Sequence, residues 1–174
     1  MQWIHHYNEI EIQKITVYKV PGHTAIDLID RGQAYFISDS ILYGDREKVS
    51  FHIRPNRLMA GIDMVKTSTH LPFIRQFDGV RVLVWRGLII AHINKPQFNL
   101  PDQLHPDLFI IGDNAISDPG SLKLSAKKAT IILDSSNSFY FTERFLKNAE
   151  PLDLNVHSVW HQGAFDFKLT NSNS

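Results

Sequence analysis

Residues 106 to 168 constrain the fold more than any other stretch, because the hydrophobic pattern is cleanest there. Asp107-Leu108-Phe109-Ile110-Ile111-Gly112 is a short apolar run closed by a glycine, which reads as a buried strand. Ala129-Thr130-Ile131-Ile132-Leu133 is a second such run, rich in β-branched residues. Between them, Asp118-Pro119-Gly120 opens Ser121 to Lys128, a short helix at best. Ser138 suits the cap of a helix over Phe139 to Glu150, in which Phe141, Phe145 and Leu146 share a face. Val156 to Trp160 and Ala164 to Leu169 read as two further strands around a Gln162-Gly163 turn. Strand, helix, strand, helix and strand pair is the order of a layered α/β or α+β unit.

The front half adds β structure. Residues 11 to 20 and Thr24 to Ile29 are strand-like and meet at Pro21-Gly22-His23. After Arg31-Gly32 a third strand, Gln33 to Ser38, ends at Asp39, so the expectation is an antiparallel meander. Tyr43 to Lys48 is a loop or a helix start, and Pro55 interrupts any long helix over Val49 to Ile62. Lys66 to Pro72 reads as loop. Phe73 to Phe77 and Val80 to Trp85 form a hairpin around Asp78-Gly79, and Leu88 to Ile93 is another short strand. Lys95 to Pro106, with three prolines and no period, is a connector.

A chain of 174 residues suits one domain with a sizeable core, expected over residues 11–170. Residues 1–10 read as a lead-in following a membrane segment, and residues 171–174 as a frayed tail. With 18 basic and 18 acidic residues the formal net charge is zero, which argues against nucleic-acid affinity resting on bulk positive charge. The absence of cysteine excludes disulfides, thiol nucleophiles and cysteine metal sites. No uncharged apolar run is long enough to span a bilayer; Val80 to Ile93 is broken by Arg81 and Arg86.

The nine histidines include no His-x-His and no His-Glu-x-x-His. His157 and His161, placed on one strand, would stand about 13 Å apart and chelate nothing together. Asp27 and Asp30 fall on opposite faces of theirs. Ser38, Ser40, Ser135 and Ser136 lie near Asp39 or Asp134 but lack a nucleophile elbow. No glycine-rich phosphate loop is present. The clusters Arg54-Pro55-Asn56-Arg57 and Lys123, Lys127, Lys128 are phosphate-contact candidates, with solvated charge the simpler reading.

Two stretches together resemble the carboxy-terminal domain of ComEC, the membrane channel that brings single-stranded DNA into competent bacteria. Val20-Pro21-Gly22-His23-Thr24-Ala25-Ile26-Asp27-Leu28-Ile29, followed by Ala34-Tyr35-Phe36-Ile37-Ser38-Asp39, is similar to its first hairpin. Asp107 to Asn114, Ile131 to Asn137, the helix after it and Gln162-Gly163-Ala164-Phe165 follow the order of its later half. Phe51 to Pro55 resembles a segment of a shorter subgroup lacking the metal motif. The resemblance spans roughly residues 14 to 169 and implies an α+β, degenerate metallo-β-lactamase-like fold, mostly sheet with two or more helices packed on it.

Catalytic relatives hold two metal ions through a His-x-His-x-Asp-His motif that this chain lacks. Asp113-Asn114 stands where they have a later His-His pair, and Thr24 where they have aspartate. The resemblance therefore implies no catalytic, cofactor-binding or metal residues. It leaves a vestigial site at Gly22, His23, Thr24, Asp39, Asp113, Asn114 and Asp134. The expected role is a non-catalytic interaction module of a DNA-uptake protein in the inner membrane, on the extracytoplasmic face, next to the channel portion of the same polypeptide. Two rivals are a surface that binds single-stranded DNA without chemistry, and a nuclease with ligands recruited from His23, Asp39, Asp113 and Asp134.

Overall fold

The computed structural model describes residues 12–71, 74–126 and 128–169; the lead-in over 1–10 and the tail over 171–174 lie outside them. The chain divides into two compact units, one built from residues 1–20, 24–71 and 164–174, the other from 21–23 and 72–163. Each has its own sheet, so the fold class is α+β, mostly strand.

In the first unit, β1 (Gln13–Val17), β2 (Ala25–Asp30) and β3 (Gln33–Ser38) form the expected antiparallel meander. The β2–β3 turn places both Arg31 and Gly32 at positive φ, which matches the twist of a two-residue hairpin. Three short helices follow: α1 (Ser40–Gly44), α2 (Arg46–His52) and α3 (Arg54–Met59). Pro55 sits in the first turn of α3, where its missing N–H costs nothing. The chain then runs into β4 (Met64–Thr67), paired in parallel with β3. The loop expected from residue 66 onward therefore begins as an edge strand, with a 3-10 turn over Ser68–His70 after it. Backbone pairing supports β4, whose Met64 and Val65 are exposed, so it shows no apolar alternation. Ile29 and Ala34 pack on Ala60, and Tyr18, Val20, Ala25 and Phe36 pack on Leu42 and Ile53.

In the second unit a six-stranded sheet runs from Asn155–Ser158 at one edge to Ile74–Phe77 at the other. β5 (Ile74–Phe77), β6 (Val80–Trp85) and β7 (Leu88–Ile93) pair antiparallel through the tight turns at Asp78-Gly79 and Arg86-Gly87. At Gly79 a Cβ would stand 2.0 Å from the Gln97 carbonyl oxygen, so only glycine fits. β8 (Leu108–Ile111), β9 (Thr130–Leu133) and β10 (Asn155–Ser158) continue the sheet in parallel, each reached by a long connection, as parallel pairing demands. β8 is buried along its whole length, which explains its unbroken apolar run. Residues 119–126 form a 3-10 helix, and α4 (Phe139–Ala149) is capped by Ser138, whose Oγ accepts from the Phe141 N–H at 3.2 Å. Phe141 and Phe145 face Phe109, Ile111, Ile131 and Leu133 in the core.

Both strands expected over 156–169 are present, but shorter, and they do not pair with each other across Gln162-Gly163. Residues 159–162 form a helical turn, α5 (Val159–Gln162), and β11 (Phe165–Lys168) pairs with β1 in the other sheet. A backbone carbonyl explains the break: Gly163, at φ +83°, donates its N–H back to Val159 and stops the turn.

Candidate functional site

In open sheets with parallel strands, ligands bind at the carboxyl ends of those strands. In the second unit the ends of β8 and β9 carry Gly112-Asp113-Asn114 and Asp134-Ser135-Ser136-Asn137-Ser138, which include three of the vestigial positions. Asp134 is fully buried, and its Oδ1 accepts from the Ser136 N–H at 3.0 Å and the Ser136 hydroxyl at 2.5 Å. That hydroxyl accepts in turn from the Asp113 N–H at 2.8 Å. The Asn137 side-chain oxygen accepts from the Asn114 N–H at 2.9 Å, while its amide donates to the carbonyls of Ile111 and Asp134. Asn114 returns the favour through its own oxygen, which accepts from the Ser138 N–H at 2.9 Å.

Four polar side chains thus lace two loops together, and the backbone shows the consequence. Asp113 and Asn114 both adopt left-handed conformations, at φ +53° and +54°, a region that Asn and Asp tolerate better than most residues. Gly112 lies against the lacing: a Cβ there would stand 2.7 Å from Ser136 Oγ and 3.0 Å from Asp134 Oδ2.

The turn Pro21–His23 belongs to this same unit. Gly22 donates its N–H to the Ser135 carbonyl at 2.8 Å, and the Ser135 hydroxyl reaches the His23 carbonyl at 3.4 Å. His23 is buried. Thr24 and Asp39 belong to the first unit, where the Asp39 carboxylate caps α1 by accepting from the Leu42 N–H at 2.9 Å and accepts from the Thr24 N–H at 3.2 Å. The seven vestigial positions therefore fall in two groups, five in one unit and two in the other.

A two-metal hydrolytic centre needs carboxylates and imidazoles aimed at shared points, about 3.5–4 Å between the ions. Here the donor set does not fit. Asp134 and Asp39 spend oxygen lone pairs on backbone N–H groups and a hydroxyl, Asp113 is exposed, and among the described residues no three His, Asp or Glu side chains gather as ligands. His157 and His161 are likewise apart in role. The His157 ring bonds the Gly163 carbonyl at 3.0 Å, and His161 bridges Ser158 Oγ at 2.7 Å and Glu143 at 2.6 Å.

Three features escaped the sequence reading. The first is the lacing by Ser136, Asn137 and Ser138, to which Trp160 adds a bond from its indole N–H to the Asn137 carbonyl at 2.7 Å; its signal is the polar run after the second apolar strand. The second is an ion pair in the first unit. Asp27, wholly buried, takes a two-pronged contact from Arg57, with Nε at 2.7 Å and Nη2 at 2.8 Å, plus the Tyr18 hydroxyl at 2.8 Å. Arg57 lies over the Phe36 ring at 4.6 Å, so it is not the solvated charge expected of it. Burial, then the Asp27 charge, pushes the Tyr18 hydroxyl far above its ordinary value. Burial works against the Arg57 cation, but the bonds and charge of Asp27 outweigh it and the net shift is upward. A carboxylate inside an apolar strand was the available signal, since such a charge requires a partner. The third is His92 on β7, buried with Nε2 unpartnered; burial, helped by the Arg81 charge, lowers its pKa to about 4. Of the lysine cluster, Lys128 is exposed, Lys127 lies outside the described residues, and the Lys123 side chain is not described.

The model of one family, the ComEC C-terminal domain, matches residues 15–169. The chain belongs to that family. Membership carries a role in ComEC-type DNA uptake, and the match runs from β1 through β11. Neither the curated proteins nor the solved structures contain a match. Among the described residues no helix is long and apolar enough to cross a membrane.

Proposed function

We propose that this ComEC C-terminal domain is a non-catalytic module of a DNA-uptake membrane protein, working as an interaction element beside the channel portion of its own polypeptide. It would stand on the extracytoplasmic face of the inner membrane. The observation that carries the reading is the employment of the strand-end side chains. Asp134, Ser136, Asn137 and Asn114 bond one another's loops and keep them in place. A hydrolytic centre instead needs its ligand side chains open to metal and water. The missing His-x-His-x-Asp-His motif supports the same conclusion from the sequence.

The domain's folded loops then offer shape rather than reaction. Incubating the chain with labelled single-stranded DNA and manganese or zinc tests this. The expected outcome is intact DNA at every metal concentration. Metal-stimulated cleavage that disappears in Asp113→Ala would overturn the proposal. A titration of single-stranded DNA at low and moderate salt separates out a binding role: affinity that falls steeply with salt marks phosphate contacts. No binding at low salt leaves contacts with protein as the module's work.

A further inference from the structure

A cavity of about 460 Å³ opens between α2, α3 and the stretch leading into β4. α2 lines it with Arg46, Val49 and Ser50, and α3 with Arg54, Arg57 and Leu58. Each triplet has the i, i+3, i+4 spacing of one helix face. Ile62 and Val65 supply the apolar wall. No carboxylate is among the described residues that line it.

The three guanidinium groups differ. Arg57 is committed to Asp27. Arg46 and Arg54 are exposed and make no ion pair or hydrogen bond among the described residues. The cavity therefore pairs two uncommitted cations with aliphatic walls. Its surroundings are equally unusual: seven of the eleven large apolar side chains exposed among the described residues fall between 41 and 65, with Ile41, Phe51 and Met59 each more than 70% exposed. Contiguous exposed apolar side chains beside basic ones mark a contact surface.

From this we infer that the cavity is a binding site for a phosphate-bearing lipid, its headgroup held by Arg46 and Arg54 and its acyl portion by Val49, Leu58, Ile62 and Val65. Guanidinium groups bond phosphate oxygens with charge-assisted geometry. A bare phosphate would leave the aliphatic walls wet. Nucleic-acid bases stack on aromatic faces, and only Tyr43 among the lining residues offers one. An acyl chain satisfies the aliphatic wall. The inference does not depend on the reading of the strand-end loops.

The test uses the chain and four probes: soluble dihexanoylphosphatidylglycerol, dihexanoylphosphatidylcholine, inorganic phosphate, and a single-stranded oligonucleotide as competitor. The anionic lipid is expected to bind at least tenfold more tightly than the zwitterionic one or phosphate alone. Arg46→Ala combined with Arg54→Ala should weaken it at least tenfold, and Leu58→Asp, an exposed position that leaves the fold intact, should do the same. Sedimentation with vesicles of phosphatidylglycerol then identifies the source. Co-pelleting points to a membrane leaflet, and monomer binding without pelleting to a free lipid; both uphold the site. Equal affinity for both lipids, unchanged binding in the double variant, or displacement of no lipid because none binds while the chain self-associates through Leu58 would overturn it.

Discussion

Removing Arg57 should destabilise the first unit severely, because it strands a buried carboxylate. In Arg57→Ala the Asp27 carboxylate, 0% exposed, keeps only the Tyr18 hydroxyl among its side-chain bonds and loses two guanidinium contacts of 2.7 and 2.8 Å. Breaking a buried pair from one side costs about 3–5 kcal/mol, because a charge is left without compensation. Losing the cation over Phe36 adds on the order of 1 kcal/mol. Against a total stability of roughly 5–15 kcal/mol this is severe. With a urea slope of about 2 kcal/mol per molar, the midpoint should fall by about 2–3 M. Circular dichroism reads the transition, and hydrogen exchange across 25–30 and 54–59 reports whether the loss lies in the first unit. Replacing both partners, Asp27→Leu with Arg57→Met, should recover much of the loss, since no charge remains buried. A midpoint shift under about 0.5 M in Arg57→Ala, or a double variant no better than the single, would refute the claim that Arg57 neutralises Asp27.

Three further outcomes follow from the same structure. His92 is held neutral down to about pH 4 in the fold, whereas an unfolded histidine takes its proton near 6.5. Below that value the unfolded chain binds a proton the folded one refuses, so stability falls as pH drops from about 6.5 to 4, by about 3 kcal/mol at most; thermal unfolding of His92→Leu should lack that part of the slope. Gly112→Ala drives a methyl group against Asp134 and Ser136 and should lower stability by about 1–3 kcal/mol, read as an earlier urea midpoint. Asn137→Ala removes two buried donated bonds and one accepted bond; about 2–4 kcal/mol is expected from leaving those buried groups unpaired, with faster amide exchange over 112–114.

Much of this fold was readable because most of its strands, and α4, carry apolar patterns or turn signals of their own. The buried runs at 108–111 and 130–133, the hairpins at Arg31-Gly32 and Asp78-Gly79, and the cap at Ser138 all carry local signals. β4 carries none: its exposed Met64 and Val65 read as loop, and only backbone pairing with β3, over thirty positions away, makes it a strand. α5 was hidden for a related reason, since Val159 and Trp160 look β-prone while Gly163 closes them into a helical turn. At the candidate site the sequence identified Asp113, Asn114 and Asp134 but not their occupation. Ser136 and Asn137 act across a separation of 23 residues, and Arg57 finds Asp27 across 30. Such pairings follow from tertiary packing, so composition and period are blind to them.

Whether the strand-end carboxylates are available as ligands decides whether this domain can hold metal. The most direct measurement is elemental analysis of the purified chain after equilibration with zinc and manganese, run beside Asp134→Ala and Asp113→Ala. Substoichiometric metal, the same in all three proteins, is the predicted result. One or two equivalents of tightly held metal in the native chain, lost on replacing either aspartate, would contradict it.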